Sequence, residues 1–283
     1  MDLFTEKKIR LAILLSGQLR HWDITSKIFA MYNDIHPDVQ YDFFLSTWDD
    51  DYMGTKAITA DFSFLIAHEV ISPSVLKKHE EDYVKYPYLL KRVNQLKNDY
   101  QHEHDIKYDC VISTRPDIFL SLDMLHGINV IINNTHSDQI TPNTIYSHNA
   151  IGEKMTSTEG SNILIYHFTM ADYFVFGHEN VINIHANLYD DMYVKKIQPN
   201  LGVHITPATH IINNKLNCKS SPGWHDLVRY THIDYLTNLD KTGELKNMFD
   251  IKHITKYPQE LAANFKEFAN EYDKIKYSSN NSI

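Results

Sequence analysis

Glycine is scarce in this chain: nine occur in 283 residues, about half the ordinary share of roughly 7%. None of the nine falls into the spacing of a dinucleotide fingerprint or a P-loop, so a phosphate cradle built from backbone amides is not expected. Cysteine is scarcer still. Cys110 and Cys218 are the two present, too few for a disulfide framework. Neither a His-Glu-x-x-His zinc-protease helix nor a Gly-x-Ser-x-Gly nucleophile elbow occurs, which sets those chemistries aside. Basic charge is also short. Lys and Arg number 27 against 36 Asp and Glu, for a formal charge of -9, the opposite of a nucleic-acid footprint. Long hydrophobic runs are lacking too. The opening MDLFTEKKIRLAILLSG holds only about seven consecutive apolar or small positions, short of a membrane span and unlike a secretory signal. A cytoplasmic protein without a transmembrane segment is expected.

What is present is a folded, soluble composition, with 43% hydrophobic, 12% aromatic and 22% charged residues, enough for a substantial core. The 17 histidines are scattered, and the 18 tyrosines are explained by packing as well as by ligand stacking. An anionic ligand of so acidic a chain needs local help, from a few arginines or from a divalent cation.

The pattern along the chain alternates strands with helices. IRLAILL (9–15) reads as a strand stopped by Ser16-Gly17, followed by a helix whose stripe is Ile24, Ile28, Met31 and Ile35, capped by Asp23. YDFFLSTW (41–48) and EVISP (69–73) read as further strands. Leu89, Leu90, Val93, Leu96 and Tyr100 mark a helix between 87 and 106, and YDCVIS follows as a strand. ADYFVFG (171–177) is a strand, 181–197 a helix and GVHIT (202–206) a strand. Leu261, Phe265, Phe268, Tyr272 and Ile275 form the stripe of a C-terminal helix. It is expected to dock on the body, with peripheral membrane or partner contact as the alternative. Such alternation indicates an α/β fold around a mostly parallel sheet flanked by helices. Ligands of such sheets gather beyond the carboxyl ends of the strands. That singles out the loops SGQLR, TWDDD and TRPD.

The order ILLSGQLR, YDFFLSTW, YDCVISTRPDIFL and ADYFVFG, spanning roughly 9–206, resembles a GT-A-type glycosyltransferase. More narrowly, it is similar to viral and bacterial sugar transferases related to the WavE-like lipopolysaccharide-synthesis group. The resemblance implies a single GT-A-like catalytic domain over 1–255, with a nucleotide-sugar half to about 125 and an acceptor half beyond it. A smaller antiparallel addition and C-terminal helices go with it, and residues 256–283 form the amphipathic helix and a tail. The implied reaction moves a sugar from a nucleotide-diphosphate sugar to a hydroxyl of a glycan or glycolipid acceptor. By the same resemblance Ser16, Gly17, Gln18, Arg20, Arg115 and Asp117 bind the nucleotide sugar. Asp117 and His225 are the implied ligands of Mn²⁺ or Mg²⁺, although Arg115 stands where the usual first acid of the metal motif lies. Asp172 is the first candidate for general base and Asp191 the second.

Each assignment has a plainer reading. Arg115 and Asp117 can form a surface ion pair, Arg20 can pair with Asp23, Asp172 can cap a turn, and Asp190-Asp191 can be a solvated helix face. Two rival functions are a metal-dependent phosphohydrolase using Asp49 and Asp51 and a glycan-binding module without catalysis. Against the hydrolase, Ser46, Thr47 and Trp48 intervene before Asp49, and Met53 stands where Thr or Val is expected.

Overall fold

The computed structural model describes residues 8–35, 38–49, 60–76, 84–120, 140–147, 152–155, 165–168, 174–194, 205–220 and 225–227, together with positions 128, 132 and 241. The chain divides into Met1–Arg229 and Tyr230–Ile283; of the described residues only Lys241 lies in the second unit. The expected boundary at 255, the C-terminal helix and Asp172 lie outside the described residues.

Eleven strands and six α-helices are described. In chain order they are β1 (Ile9–Ser16), α1 (Trp22–Ala30), α2 (Tyr32–Ile35), β2 (Val39–Trp48), β3 (Ala67–Ile71), α3 (Lys85–His104), β4 (Cys110–Thr114), β5 (Ile118–Leu120) and β6 (Thr144–Ser147). Then come β7 (Gly152–Met155), β8 (Ile165–Phe168), β9 (Phe174–Gly177), α4 (Glu179–Ala186), α5 (Leu188–Val194), α6 (Ile205–Asn213), β10 (Asn217–Ser220) and β11 (His225–Leu227). Seven strands form one sheet in the order β10-β6-β9-β4-β1-β2-β3. Four of its pairings are parallel, and the two made by β9, with β4 and β6, are antiparallel. Separate two-stranded ribbons join β5 to β11 and β7 to β8. The fold is therefore the expected α/β architecture, a mostly parallel sheet with flanking helices.

β1 is central, and its near-continuous apolar run has a physical reason: both faces are covered. On one face Ala12, Leu14, Phe44 and Val111 share a core cluster with Leu90 and Val93 of α3 and with Val181, Ile182 and Ala186 of α4. Side chains alternate across a strand, so Tyr41 and Phe43 point the other way, into an aromatic cluster with Phe29 of α1 and Tyr32 of α2. At the amino end of the sheet the buried Asp42 accepts hydrogen bonds from Arg10 Nε at 2.7 Å, Tyr108 Oη at 2.9 Å and Gln40 Nε2 at 3.0 Å. Its charge is thereby compensated.

Three local expectations are corrected. The cap of α1 is not Asp23 but His21, held at φ 55°, whose carbonyl accepts from Ile24 and Thr25. Asp23 instead occupies the first turn, where a carboxylate favours the helix dipole. The helix expected over 181–197 is two helices, capped at its start by His178 Nδ1 accepting from Asn180 N–H and broken at Asn187. The break lets α4 bury its apolar face in the core while Tyr189 of α5 turns to Tyr88. GVHIT is no strand at its end, because Ile205 and Thr206 open α6. Ala208 and Ile211 enter the core from that helix, and a five-residue apolar run cannot by itself distinguish the two outcomes.

Candidate functional site

Because β1, β2, β3 and β4 run parallel, their carboxyl ends share one edge of the sheet. Leu15 lies opposite Thr114 in the β1–β4 ladder, so the loops SGQLR and TRPD leave that edge side by side. Gly17 joins them. Its φ of 140° belongs to glycine, and a Cβ there would meet Pro116 Cδ at 3.4 Å and Arg115 Cγ at 3.8 Å. Its N–H donates to Ser46 O at 3.3 Å, tying the first loop to the end of β2.

Asp117 is the buried element of the cluster, 4% exposed. Arg115 grips it as a fork, with Nε donating to Oδ1 at 2.8 Å and Nη2 to Oδ2. The turn between them closes with Ile118 N–H on Arg115 O at 3.1 Å. Arg20 approaches the same carboxylate, its Nη1 lying 3.8 Å from Oδ2. Its other terminal nitrogen donates to Gln18 Oε1 at 3.0 Å. Both arginine side chains keep about a third of their surface exposed, 34% for Arg20 and 28% for Arg115. One buried carboxylate thus meets two partly exposed guanidiniums. Such fixed forks suit phosphate oxygens. Five of the six residues expected to bind a nucleotide sugar, Gly17, Gln18, Arg20, Arg115 and Asp117, meet here.

The sixth, Ser16, ends β1 beneath them. No hydrogen-bond partner reaches its buried Oγ, nor that of Ser113, among the described residues. Sequence reasoning missed Glu69 on β3, opposite Ser46, whose Oε1 accepts from Ser46 Oγ at 2.9 Å and whose carboxylate is gripped by Arg92 of α3 at 2.8 Å. The available signal was a lone acid inside the apolar strand EVI. Trp48 at the end of β2 stacks on Tyr88, with centroids 5.8 Å apart and planes at 14°.

The other candidates lie elsewhere or are otherwise engaged. Asp191 pairs with the buried His210, Oδ2 to Nδ1 at 3.1 Å, while His210 Nε2 lies 2.7 Å from Ile184 O. Asn214 Nδ2 donates toward the same carboxylate at 3.5 Å. Next to them, burial pulls the pKa of His185 down to about 3, so it is neutral. Asp190 pairs with Lys91 at 2.7 Å on the surface, as a solvated helix face does. His225 is in β11 opposite Leu120, three residues past Asp117 and so about 10 Å along the strand. Asp49 is exposed, its N–H bonded to Ile71 O at 2.7 Å, and Asp51 lies outside the described residues.

As arranged, both oxygens of Asp117 accept from Arg115, and among the described residues no group of three or more His, Cys, Asp or Glu could hold a metal ion. Nor is any described helix long and apolar enough to cross a membrane.

No protein-family model matches this chain, and no curated protein matches it. Among solved structures it is similar to the galactosyltransferase LgtC, crystallised with donor and acceptor sugar analogues. That match has a TM-score of 0.38 at 8% identity, covering 75% of this chain and 73% of the other.

Proposed function

We propose that this chain is a glycosyltransferase that moves a sugar from a nucleotide-diphosphate sugar to a hydroxyl of a glycan or glycolipid. The observation that carries the reading is the Asp117 carboxylate holding Arg115 and Arg20 beneath the Gly17 loop, at the carboxyl ends of β1 and β4. The motif order of WavE-like sugar transferases supports it from the sequence side.

In this reading the guanidiniums of Arg20 and Arg115 bind the diphosphate, and Asp117 keeps both aimed while the site is empty. The acceptor hydroxyl attacks the anomeric carbon, forming the new glycosidic bond. The bond from that carbon to the diphosphate oxygen breaks, its electron pair leaving with the nucleoside diphosphate. The charge gathering on that oxygen meets preorganised donors, the kind of stabilisation that contributes most in such steps. An inverting course needs a carboxylate to take the hydroxyl proton, and the resemblance assigns that to Asp172. Asp191, already paired with His210, is the weaker candidate. Metal assistance, with Asp117 and His225 as ligands, would require Arg115 to release Asp117, and no step here is routed through it.

The test is a nucleotide-sugar panel incubated with the protein, with and without a chelator, and assayed for free nucleoside diphosphate. Slow donor hydrolysis, accelerated by a glycan acceptor, supports the reading. Phosphate released from simple phosphomonoesters would favour the hydrolase instead, and glycan binding with no turnover would favour a binding module.

A further inference from the structure

The strand that follows Asp117 is held by one phenol. Tyr32 Oη donates to Leu120 O at 2.8 Å and accepts from Leu120 N–H at 3.2 Å, both bonds buried. In an antiparallel ladder the N–H and C=O of one residue point to the same side. Leu120 therefore turns both groups away from its partner His225 on β11, and Tyr32 stands in for a second neighbouring strand. The next residue repeats the device. Asn33 Nδ2 donates to Tyr41 O at 3.0 Å, and Asn33 Oδ1 accepts from Tyr41 N–H at 2.8 Å, along an edge of β2 that β3, which first pairs at Phe44, leaves open. The one-turn helix α2 is thus a splint, joined to the main sheet through Asn33 and to β5 through Tyr32. The Tyr32 ring is fully buried, packed against Phe29, Tyr41 and Phe43 at centroid distances of 5.8, 5.7 and 6.0 Å. The phenol has little freedom to follow β5 if that strand moves.

We propose that Tyr32 is a positioning residue for the Arg115–Asp117 pair, acting through β5. The turn bearing the pair is pinned at two points: Pro116 lies under Gly17, and Leu120 lies on Tyr32. The first point arises within the two site loops, whereas the second fixes how far β5 extends from the sheet and hence where Asp117 sits in the fork of Arg115. The functional consequence, though not the geometric one, rests on the diphosphate reading above.

The experiment compares wild type with Tyr32→Phe, which keeps the ring and removes both hydrogen bonds, and with Phe29→Leu, which disturbs the same cluster and leaves the bonds alone. The primary readout is the solvent exchange of the Arg115 Nε–H, assigned by NMR through its loss in Arg115→Lys. The second is binding of inorganic pyrophosphate by calorimetry. Tyr32→Phe should speed the Nε–H exchange and weaken pyrophosphate about tenfold, in line with the sensitivity of preorganised sites to small displacements. Phe29→Leu should lower the melting temperature without either effect. Wild-type Nε–H protection in Tyr32→Phe would overturn the proposal, and so would equal loss of protection in Phe29→Leu. If wild type ignores pyrophosphate, the diphosphate reading fails and the exchange measurement alone decides the positioning role. Should Tyr32→Phe not fold, Asn33→Asp keeps the shape of the splint but replaces its donor to Tyr41 O with an acceptor. It should also speed the exchange, and unchanged protection there would equally overturn the proposal.

Discussion

Replacing Lys97 with methionine should make this protein more stable at neutral pH. Lys97 lies on α3 and is fully buried; its hydrogen-bond partner is Asn183 Oδ1 at 3.5 Å, an oxygen that Asn94 Nδ2 already holds at 2.9 Å. Burial lowers its pKa from 10.5 to about 8, against the attraction of Glu179. The folded chain thus binds the proton less well than the unfolded chain. Stability must rise with pH between about 8 and 10.5, and the full penalty applies below 8. A shift of two and a half units corresponds to roughly 3 kcal/mol at pH 7, falling to about 1 kcal/mol by pH 10. Methionine has similar length, carries no charge and leaves the Asn94–Asn183 bond in place. Burial also raises the pKa of Cys110 and Cys218, which makes stability fall with pH in the same range. The quantity to measure is therefore the difference between wild type and Lys97→Met. Denaturant unfolding of both proteins from pH 7 to 10 should give a gap that starts near 3 kcal/mol in favour of the variant and narrows steadily. A gap that stays constant, or a variant less stable at pH 7, would refute the claim that Lys97 is a buried and poorly compensated charge.

Asp117→Asn should lower kcat/KM for nucleotide-sugar turnover by about a hundredfold or more, with an unchanged circular dichroism spectrum; undiminished turnover removes Asp117 from the mechanism. Gly17→Ala should destabilise the fold by about 1–2 kcal/mol, since alanine at φ 140° is strained, and should weaken nucleoside diphosphate binding because relief of that strain shifts the loop that carries Gln18 and Arg20. Asp42→Asn should cost about 3 kcal/mol of unfolding free energy by leaving Arg10 and Tyr108 without their carboxylate. Its turnover at low temperature should stay near wild type, because Asp42 lies at the end of the sheet away from the strand carboxyl ends; a large loss of turnover would contradict that placement.

The central strands could be read directly because their burial is written in composition. IRLAILL and YDFFLSTW are apolar on both faces, as strands covered by helices on both sides must be. The 3.6-residue spacing of Leu89, Val93, Leu96 and Tyr100 was equally clear. Where local signals conflicted, the reading failed. The run GVHIT has strand composition at its start, yet Ala208 and Ile211 beyond it belong to a helix that the core selects. Asn187 breaks a periodic segment because α4 and α5 must reach different surfaces, the core and Tyr88. Nothing local to Asp191 announces His210, nineteen residues later along the chain.

By itself the sequence determined which loops lie at the carboxyl edge of the sheet, since strand polarity follows from alternation of strand and helix, and it supplied a glycine and charged residues to those loops. Tertiary structure decided what the charges do. Arg115 and Asp117 are two residues apart, a spacing compatible with separate ligand contacts or with a mutual fork, and only the approach of Arg20 and the packing of Gly17 on Pro116 give the fork a second cation and a fixed place. That Tyr32, 88 residues from Leu120, holds the strand beyond Asp117 depends on side-chain hydrogen bonds between distant segments, which leave no periodic trace in either segment.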